Sequence, residues 1–549
     1  VSHRLGGHVV VEQLLQHGTD LAFCVPGESY LAVLDGLYDA RDRIRLITNR
    51  HEGGAAIMAA AYGKLTGRPG VCLVTRGPGA TNASIGVHMA HQDASPMVLF
   101  VGQVGTDQAG RRTFQEVDYR AMFAPLAKAV LQIDRADRVP ELVARAFHTA
   151  VSGEPGPVVV ALPDDVLMHS TDAPVVPAAP PVAAAPAPAD LARFLAELDA
   201  AARPLLVAGG SGWTPEGTEA LRRFAEARGL PVATAVRHQD LIDNRSPSYV
   251  GTLGLNTTPG LAERVGQADL VALIGTRPDA LTVENHSLLS APHPAQRLLH
   301  VHPSPDVLNQ VYRADLAIVS GPTAFATALA DTVGSARAGV SAEAAGSPAA
   351  SGRSAWTREL RALFTRERPA PASGVDPAPY LRILQERLPA DTIITAGAGA
   401  YTAWPQRHWS FTRYPSQLGT QSGAMGYGLP AAIAAKLVHP ERAAVAFAGD
   451  GCLLMTGQEL ATAARYKTDV LIIVVNNSSY GTIRQHQEAR FPGRVSGTDL
   501  HNPDFVGYAC SFGAHAARTR TPEEFEQALK EARTHPGPAL IEIVTAEPA

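Results

Sequence analysis

Residues 449–481 read GDGCLLMTGQELATAARYKTDVLIIVVNNSSYG. An apolar, strand-like run, AAVAFA, leads into Gly449-Asp450-Gly451. The stretch CLLMTGQELATAARY then has helical periodicity, and VLIIVV has the composition of a buried strand. That second strand ends on Asn476-Asn477, 24 residues (452 to 475) after the Gly-Asp-Gly. A strand-Gly-helix junction presents free backbone N–H groups to a phosphate. Asp450 would repel a bare phosphate, and a magnesium ion between the two removes the conflict. If the two strands are neighbours, the asparagines stand level with Asp450 and offer neutral oxygen ligands. The reading that follows is a metal-diphosphate site at the tips of adjacent parallel strands.

The pattern recurs on either side. LAFCVPG, IRLIT, GVCLVT, MVLFVGQV and GPVVVALP alternate with helical segments in residues 1–170. PLLVAGG, PVATA, LVALIG and LLHVHP do so in 190–333, and TIITAG, AAVAFAGDG, VLIIVVNN and ALIEIV in 374–549. Near-continuous apolar strands alternating with helices predict an α/β chain of three domains, each a mainly parallel sheet flanked by helices. The Pro/Ala-rich residues 171–189 and the small-residue stretch within 334–373 are expected to be linkers. Ligands in such sheets bind where the chain leaves the carboxyl ends of the strands.

Composition narrows the function. A formal charge of −5 over 549 residues, without a basic run, excludes an electrostatic nucleic-acid or anionic-membrane binder. No run of about 18 apolar residues is present to span a bilayer. No signal-peptide-like apolar segment opens the sequence. Four scattered cysteines form neither a disulfide framework nor a zinc spacing, so a cytoplasmic location is expected.

The Gly-Asp-Gly to Asn-Asn stretch resembles the diphosphate-binding motif of thiamine diphosphate (ThDP)-dependent enzymes. NRHEGGAAIMAAAYGKLTGRPGVCLVTRGPGATNASIGV, CVPGESYLAVLDGLYD, FQEVDYRAMF and GAMGYGLPAAIAA are similar to segments of the acetolactate synthase-like branch. The resemblance covers the first and third blocks well and the middle block loosely. It implies pyrimidine-binding, central and diphosphate-binding domains, with ThDP and Mg2+ as cofactors. Asp450, Asn477 and the backbone oxygen of Ser479 would hold the metal. Glu52 would hydrogen-bond N1′ of the aminopyrimidine and drive the 4′-amino group toward its imino form. Met425 would bend the cofactor from below, and the Gly423 carbonyl would meet the 4′-amino group. Pro26, Gly27, Asn82, Gly399, Gly449 and Gly451 complete the implied cofactor contacts. Phe114, Gln115, Tyr480, Thr482 and His486 would line the substrate cavity, with Gln115 facing the substrate.

Several residues depart from the branch. Glu28, in VPGES, stands where the synthases usually carry a small residue, and is expected to move a proton or orient substrate. Thr482 and His486 in GTIRQHQ replace a typical Met and Trp, and TAGAGAYTAW lacks a Gln-His pair. The central segment IGTRPDALTVEN differs from that of FAD-binding members, so FAD is not expected. The implied activity is carboligation of 2-oxo acids or vicinal diketones to hydroxyketones of the acetolactate, acetoin or acetylacetoin type. Lyase, decarboxylase or diketone hydrolase action is the alternative, and a silent ThDP-binding homologue is the non-enzymatic one. The resemblance also implies a homodimer or homotetramer, with Glu52 and Asp450 of different subunits meeting one cofactor.

Overall fold

The computed structural model describes residues 4–339, 348–366 and 374–545. The chain divides into two compact units. One comprises Val1–Pro181, Ile394–Thr402 and Leu418–Ala549, and the other Val182–Ile393 and Ala403–Gln417. Among the described residues, three six-stranded sheets flanked by helices bear out the expected three-part α/β architecture.

The first unit holds two of the sheets. In the first, the strand order is Arg45–Thr48, Leu21–Cys24, Gly70–Val74, Met97–Gln103, Pro157–Pro163, Ala129–Gln132, and every pairing is parallel. Three neighbouring strands, Gly70–Val74, Met97–Gln103 and Pro157–Pro163, are buried along their whole length. That is why the sequence reads there as continuous apolar runs rather than as alternation. The second sheet runs Gln417–Gly419, Ile393–Ala396, Ala444–Gly449, Leu471–Asn476, Ala539–Val544, His515–Thr519. Numbered along the chain, both sheets have the order 2-1-3-4-6-5, so the two halves of this unit repeat one topology.

Helix Glu52–Thr66 joins those halves. It packs against helices Pro78–Gln92 and Gly428–Val438, and is buried on nearly all sides. Its small residues permit the close approach: a Cβ on Gly63 would lie 2.0 Å from the Pro96 carbonyl oxygen. At its far end Lys64 donates to the Gly419 carbonyl at 2.6 Å and pairs with Asp93, which accepts from the Gln421 amide.

The second unit is built on a parallel sheet ordered Tyr249–Thr252, Val232–Thr234, Pro204–Ala208, Leu270–Ile274, Arg297–His302, Leu316–Val319. Along the chain this is 3-2-1-4-5-6, the order of doubly wound dinucleotide-binding sheets, which by itself assigns no ligand.

The expected boundaries differ in detail. Residues 172–187 carry no helix or strand, and Gln13 clasps the Val176 backbone through both its amide atoms. The expected second linker, 334–373, is largely helical where it is described: helices Pro322–Gly339 and Pro348–Thr365 run into it. Residues 340–347 and 367–373 lie outside the described residues. Ala and Ser repeats masked the anchors Trp356 and Leu360, which are buried in the core of the second unit. Residues 403–417, expected in the third block, pack with the second unit, where Gln417 and Ser416 bond Gln239 and Asp240.

Two buried histidines on strand Arg297–His302 make the second unit acid-sensitive. His300 donates Nε2–H to the Thr276 carbonyl at 3.1 Å, and burial pushes both His300 and His302 down to about 4. Between about pH 6.5 and 4 the unfolded chain therefore binds protons that the folded chain refuses, and stability falls as pH falls. The cost approaches about 1.4 kcal/mol per pH unit for each such histidine. His300→Gln is expected to flatten the pH dependence of urea unfolding across this window, and equal slopes for variant and wild type would refute it.

Candidate active site

The carboxyl ends of the parallel strands in the first unit carry almost every residue singled out from the sequence. Strands Ala444–Gly449 and Leu471–Asn476 are parallel neighbours with Gly449 opposite Val475, so Asp450 stands level with Asn476. Asp450 is 2% exposed. Its Oδ2 accepts from Asn502 Nδ2 at 2.7 Å, and the backbone amides of Gly451 and Asn477 also donate to it. Burial pushes its carboxyl above the usual range, and these hydrogen bonds oppose the shift.

The two asparagines divide the work. Asn476 is structural: its amide donates to Glu542 at 2.7 Å and its oxygen accepts from the Ser478 amide and from Asn502. Asn477 is half-buried, and its oxygen accepts a longer 3.2 Å bond from the Ser479 amide. Ser479 is held by a bridge to Asp499 and by its hydroxyl donating to Thr498. Gly451 is glycine for a steric reason, since a Cβ there would lie 2.6 Å from the Tyr480 ring. The expected helix after Asp450 is instead three pieces: Asp450–Leu453, Gly457–Glu459 and Leu460–Arg465. Thr456 breaks it by donating its hydroxyl to the Gly426 carbonyl at 2.7 Å.

That bond ties the motif to the segment carrying Gly423 and Met425. Gly423 and Gly426 both have positive φ (67° and 86°), a conformation that glycine adopts without cost. A Cβ on Gly426 would lie 2.9 Å from Met455, while Met425 is half-buried. Gly399, with φ of 141°, passes over the ring of Tyr401. The Tyr401 hydroxyl donates to Cys452 Sγ at 3.0 Å, so this tyrosine closes the back of the loop beneath Gly449.

The other set lies at the carboxyl edge of the first sheet. Glu52 begins helix Glu52–Thr66 just beyond strand Arg45–Thr48, as the sequence implied. His51 caps that helix through Nδ1, and Asn82 donates to Glu52 Oε2 at 2.9 Å. Gly77 and Gln115 meet: a Cβ on Gly77 would lie 2.9 Å from the Gln115 Cβ. Phe114 is 71% exposed. Gly27 abuts Thr75, where a Cβ would lie 2.4 Å away, and Pro26 is exposed beside it. Glu28 is not isolated. Its Oε1 lies 3.7 Å from Arg76, whose guanidinium also reaches Asp164 at 3.2 Å. Arg76 is the more buried partner, with 13% of its side chain exposed against 68% for Glu28.

Thr482 and His486 lie on helix Gly481–Arg490, which buries none of its residues. Among the described residues no group of three or more His, Cys, Asp or Glu is gathered as metal ligands. The oxygen set of Asp450, Asn477 and the Ser479 carbonyl fits Mg2+, which takes few protein ligands and shares the rest with phosphate and water. Asn502, which holds Asp450, was missed from the sequence because nothing in DLHNPDF marks it. Arg76 and Asp164 were missed as partners of Glu28 because only sheet pairing brings their strands together.

Three family models match the chain. They are the thiamine pyrophosphate enzyme N-terminal TPP binding domain over residues 4–122, the central domain over 191–329, and the C-terminal TPP binding domain over 397–543. Thiamine pyrophosphate is another name for ThDP. The chain is 30% identical to the acetolactate synthase large subunit of Corynebacterium glutamicum, over 99% of this chain and 87% of that protein. It is 31% identical to the acetolactate synthase isozyme 2 large subunit of Escherichia coli, over 98% and 95%. The probable acetolactate synthase large subunit of Methanocaldococcus jannaschii is 31% identical, over 98% and 91%. With the site geometry, these matches place the chain in the thiamine pyrophosphate enzyme family, as a ThDP-dependent enzyme of the acetolactate synthase-like branch.

Proposed function

We propose that the chain is a ThDP- and Mg2+-dependent carboligase that forms hydroxyketones of the acetolactate, acetoin or acetylacetoin type from 2-oxo acids or vicinal diketones. The observation that carries this reading is Asp450 level with the Asn476-Asn477 strand tip, in a chain that also presents Glu52 at a strand tip. When bound, ThDP would supply a nucleophilic carbon for acyl-group chemistry. Asp450, Asn477 and the Ser479 carbonyl would hold Mg2+, which would neutralise the diphosphate charge. Glu52 holds the proton at N1′ of the aminopyrimidine, and Asn82 steadies its carboxyl. Met425 would support the ring system from below, and the Gly423 carbonyl would accept from its amino group.

Phe114, Gln115, Tyr480, Thr482 and His486 shape the substrate cavity in this reading. A homodimer or homotetramer completes it, with Glu52 and Asp450 of different subunits serving one cofactor. The exposure of Phe114, Leu31, Met455 and Ile483 near these residues supports a covering subunit. No helix among the described residues is long and apolar enough to cross a membrane.

The direct test is mass spectrometry of products after incubating the protein with ThDP, Mg2+ and pyruvate, and separately with diacetyl, without added flavin. Hydroxyketone products are expected. Cleavage without a new carbon–carbon bond would replace the reading with lyase or hydrolase action, and a strict flavin requirement would overturn the expectation on FAD.

The metal assignment has its own check. Asp450→Ala removes the anionic ligand, and ThDP affinity by calorimetry in magnesium buffer is expected to fall at least about tenfold, since hydrogen bonds to charged groups are worth about 1.5–3 kcal/mol. Wild-type affinity would show that Asp450 holds no metal.

Glu28 bears on donor choice. Facing Arg76, the Glu28 carboxyl group competes with a substrate carboxylate for the guanidinium. Glu28→Gln is expected to raise kcat/KM for pyruvate relative to diacetyl by roughly two- to fivefold, the scale of an exposed ion pair. An unchanged ratio would mean that Glu28 takes no part in donor choice.

A further inference from the structure

Glu459 lies nine residues beyond Asp450 (459 − 450), yet its carboxylate belongs to the other half of the unit. It is 0% exposed. Its Oε1 accepts the backbone N–H of Arg50 at 3.2 Å and of His51 at 3.1 Å, the two residues before Glu52. Its Oε2 accepts from Asn49 Nδ2 at 3.0 Å and from Thr462 Oγ1 at 2.6 Å. Gly54 leaves room for it: a Cβ at that position would lie 2.4 Å from Oε1. The same segment grips the preceding strand through Tyr466, whose hydroxyl accepts the Thr48 N–H and donates to the Leu46 carbonyl.

These contacts serve no step described so far. Three N–H donors and one hydroxyl converge on the two oxygens, which is the arrangement an ionised carboxylate accepts. Burial raises this carboxyl, and the four donors oppose the rise. The carboxylate sits at the positive end of helix Glu52–Thr66, where the first N–H groups lack helical partners.

We propose that Glu459 is the positioning residue for Glu52. By pinning the 49–51 backbone from the diphosphate-binding half, it fixes where the Glu52 carboxyl points. The proposal rests on the role given to Glu52 under the proposed function. It requires Glu459 to act as an acceptor of backbone N–H groups, not as a proton carrier. Glutamine therefore substitutes for it: its Oε1 keeps the Arg50 and His51 amides, and its NH2 group faces Thr462 Oγ1 and Asn49. The Asn49 Oδ1 atom is buried without a hydrogen-bond partner among the described residues and can receive that NH2 group once the Asn49 amide turns over. Alanine removes the acceptor. Aspartate withdraws it by about 1.5 Å, one carbon–carbon bond.

Two readouts test this. Amide hydrogen exchange of Arg50 and His51 is measured in the cofactor-free protein, and hydrogen–deuterium exchange at C2 of bound ThDP in the loaded protein. In Glu459→Ala and Glu459→Asp, both amides are expected to lose protection. C2 exchange and kcat are expected to fall at least about tenfold, with KM for pyruvate little changed, because a misplacement near 1 Å costs up to about a hundredfold. Glu459→Gln is expected to stay within about threefold of wild type, the scale of one exchanged neutral hydrogen bond. Should the alanine variant fail to fold, aspartate and glutamine carry the comparison. Protected amides with normal C2 exchange in the aspartate variant would overturn the proposal. So would a glutamine variant as slow as the aspartate one. Glu52→Gln is the control: if it leaves C2 exchange unchanged, the reading of Glu52 itself fails, and amide protection alone judges Glu459.

Discussion

A parallel sheet buried on both faces leaves its polar business one place to go. Side chains along such strands must be apolar, and backbone groups must pair within the ladder. Charge and special backbone geometry are pushed to the strand tips. Most of the candidate site residues of the first unit obey this constraint. Glu28, Glu52, Arg76 and Asp164 follow strands of the first sheet, and Asp450 and Asn477 follow strands of the other. The shared strand order makes the two edges equivalent frames that present different side chains.

Burial of carboxylates is the cost of that arrangement, and each is offset by donors from distant parts of the chain. Asp450 draws on Asn502, and Glu542 draws on Asn476 and Arg518. Glu459 draws on residues 49–51 and on Thr462. A buried carboxylate without such partners would take up a proton or destabilise the fold by several kcal/mol. Each network therefore locks two segments together, and the stiffness of the site follows from the need to satisfy charge.

Small residues set the other limit. Helix Glu52–Thr66 is buried between helices because Ala and Gly dominate it, and Gly54 is what admits the Glu459 carboxylate. Gly451 does the same for the Tyr480 ring. At these positions the sequence looks featureless, and its meaning lies in the atoms that come within 3 Å of the missing Cβ.

The sequence by itself determined the α/β class, the parallel sheets and the strand-tip motif, because apolar runs, glycine turns and a fixed interval are local signals. It also determined the residues on which the family resemblance rests. Tertiary structure decided which side chains serve those residues. Asn502 beside Asp450, Arg76 beside Glu28 and Glu459 behind Glu52 are separated along the chain by 52, 48 and 407 positions (502 − 450, 76 − 28, 459 − 52). Tertiary structure also decided that residues 348–365 form a helix anchored by Trp356 rather than part of a linker, and that the stretch after Asp450 breaks at Thr456. The physical reason is common to all of these. A hydrogen bond or a buried ring is satisfied by whatever the fold brings within about 3–4 Å, and that proximity leaves no periodicity for the sequence to display.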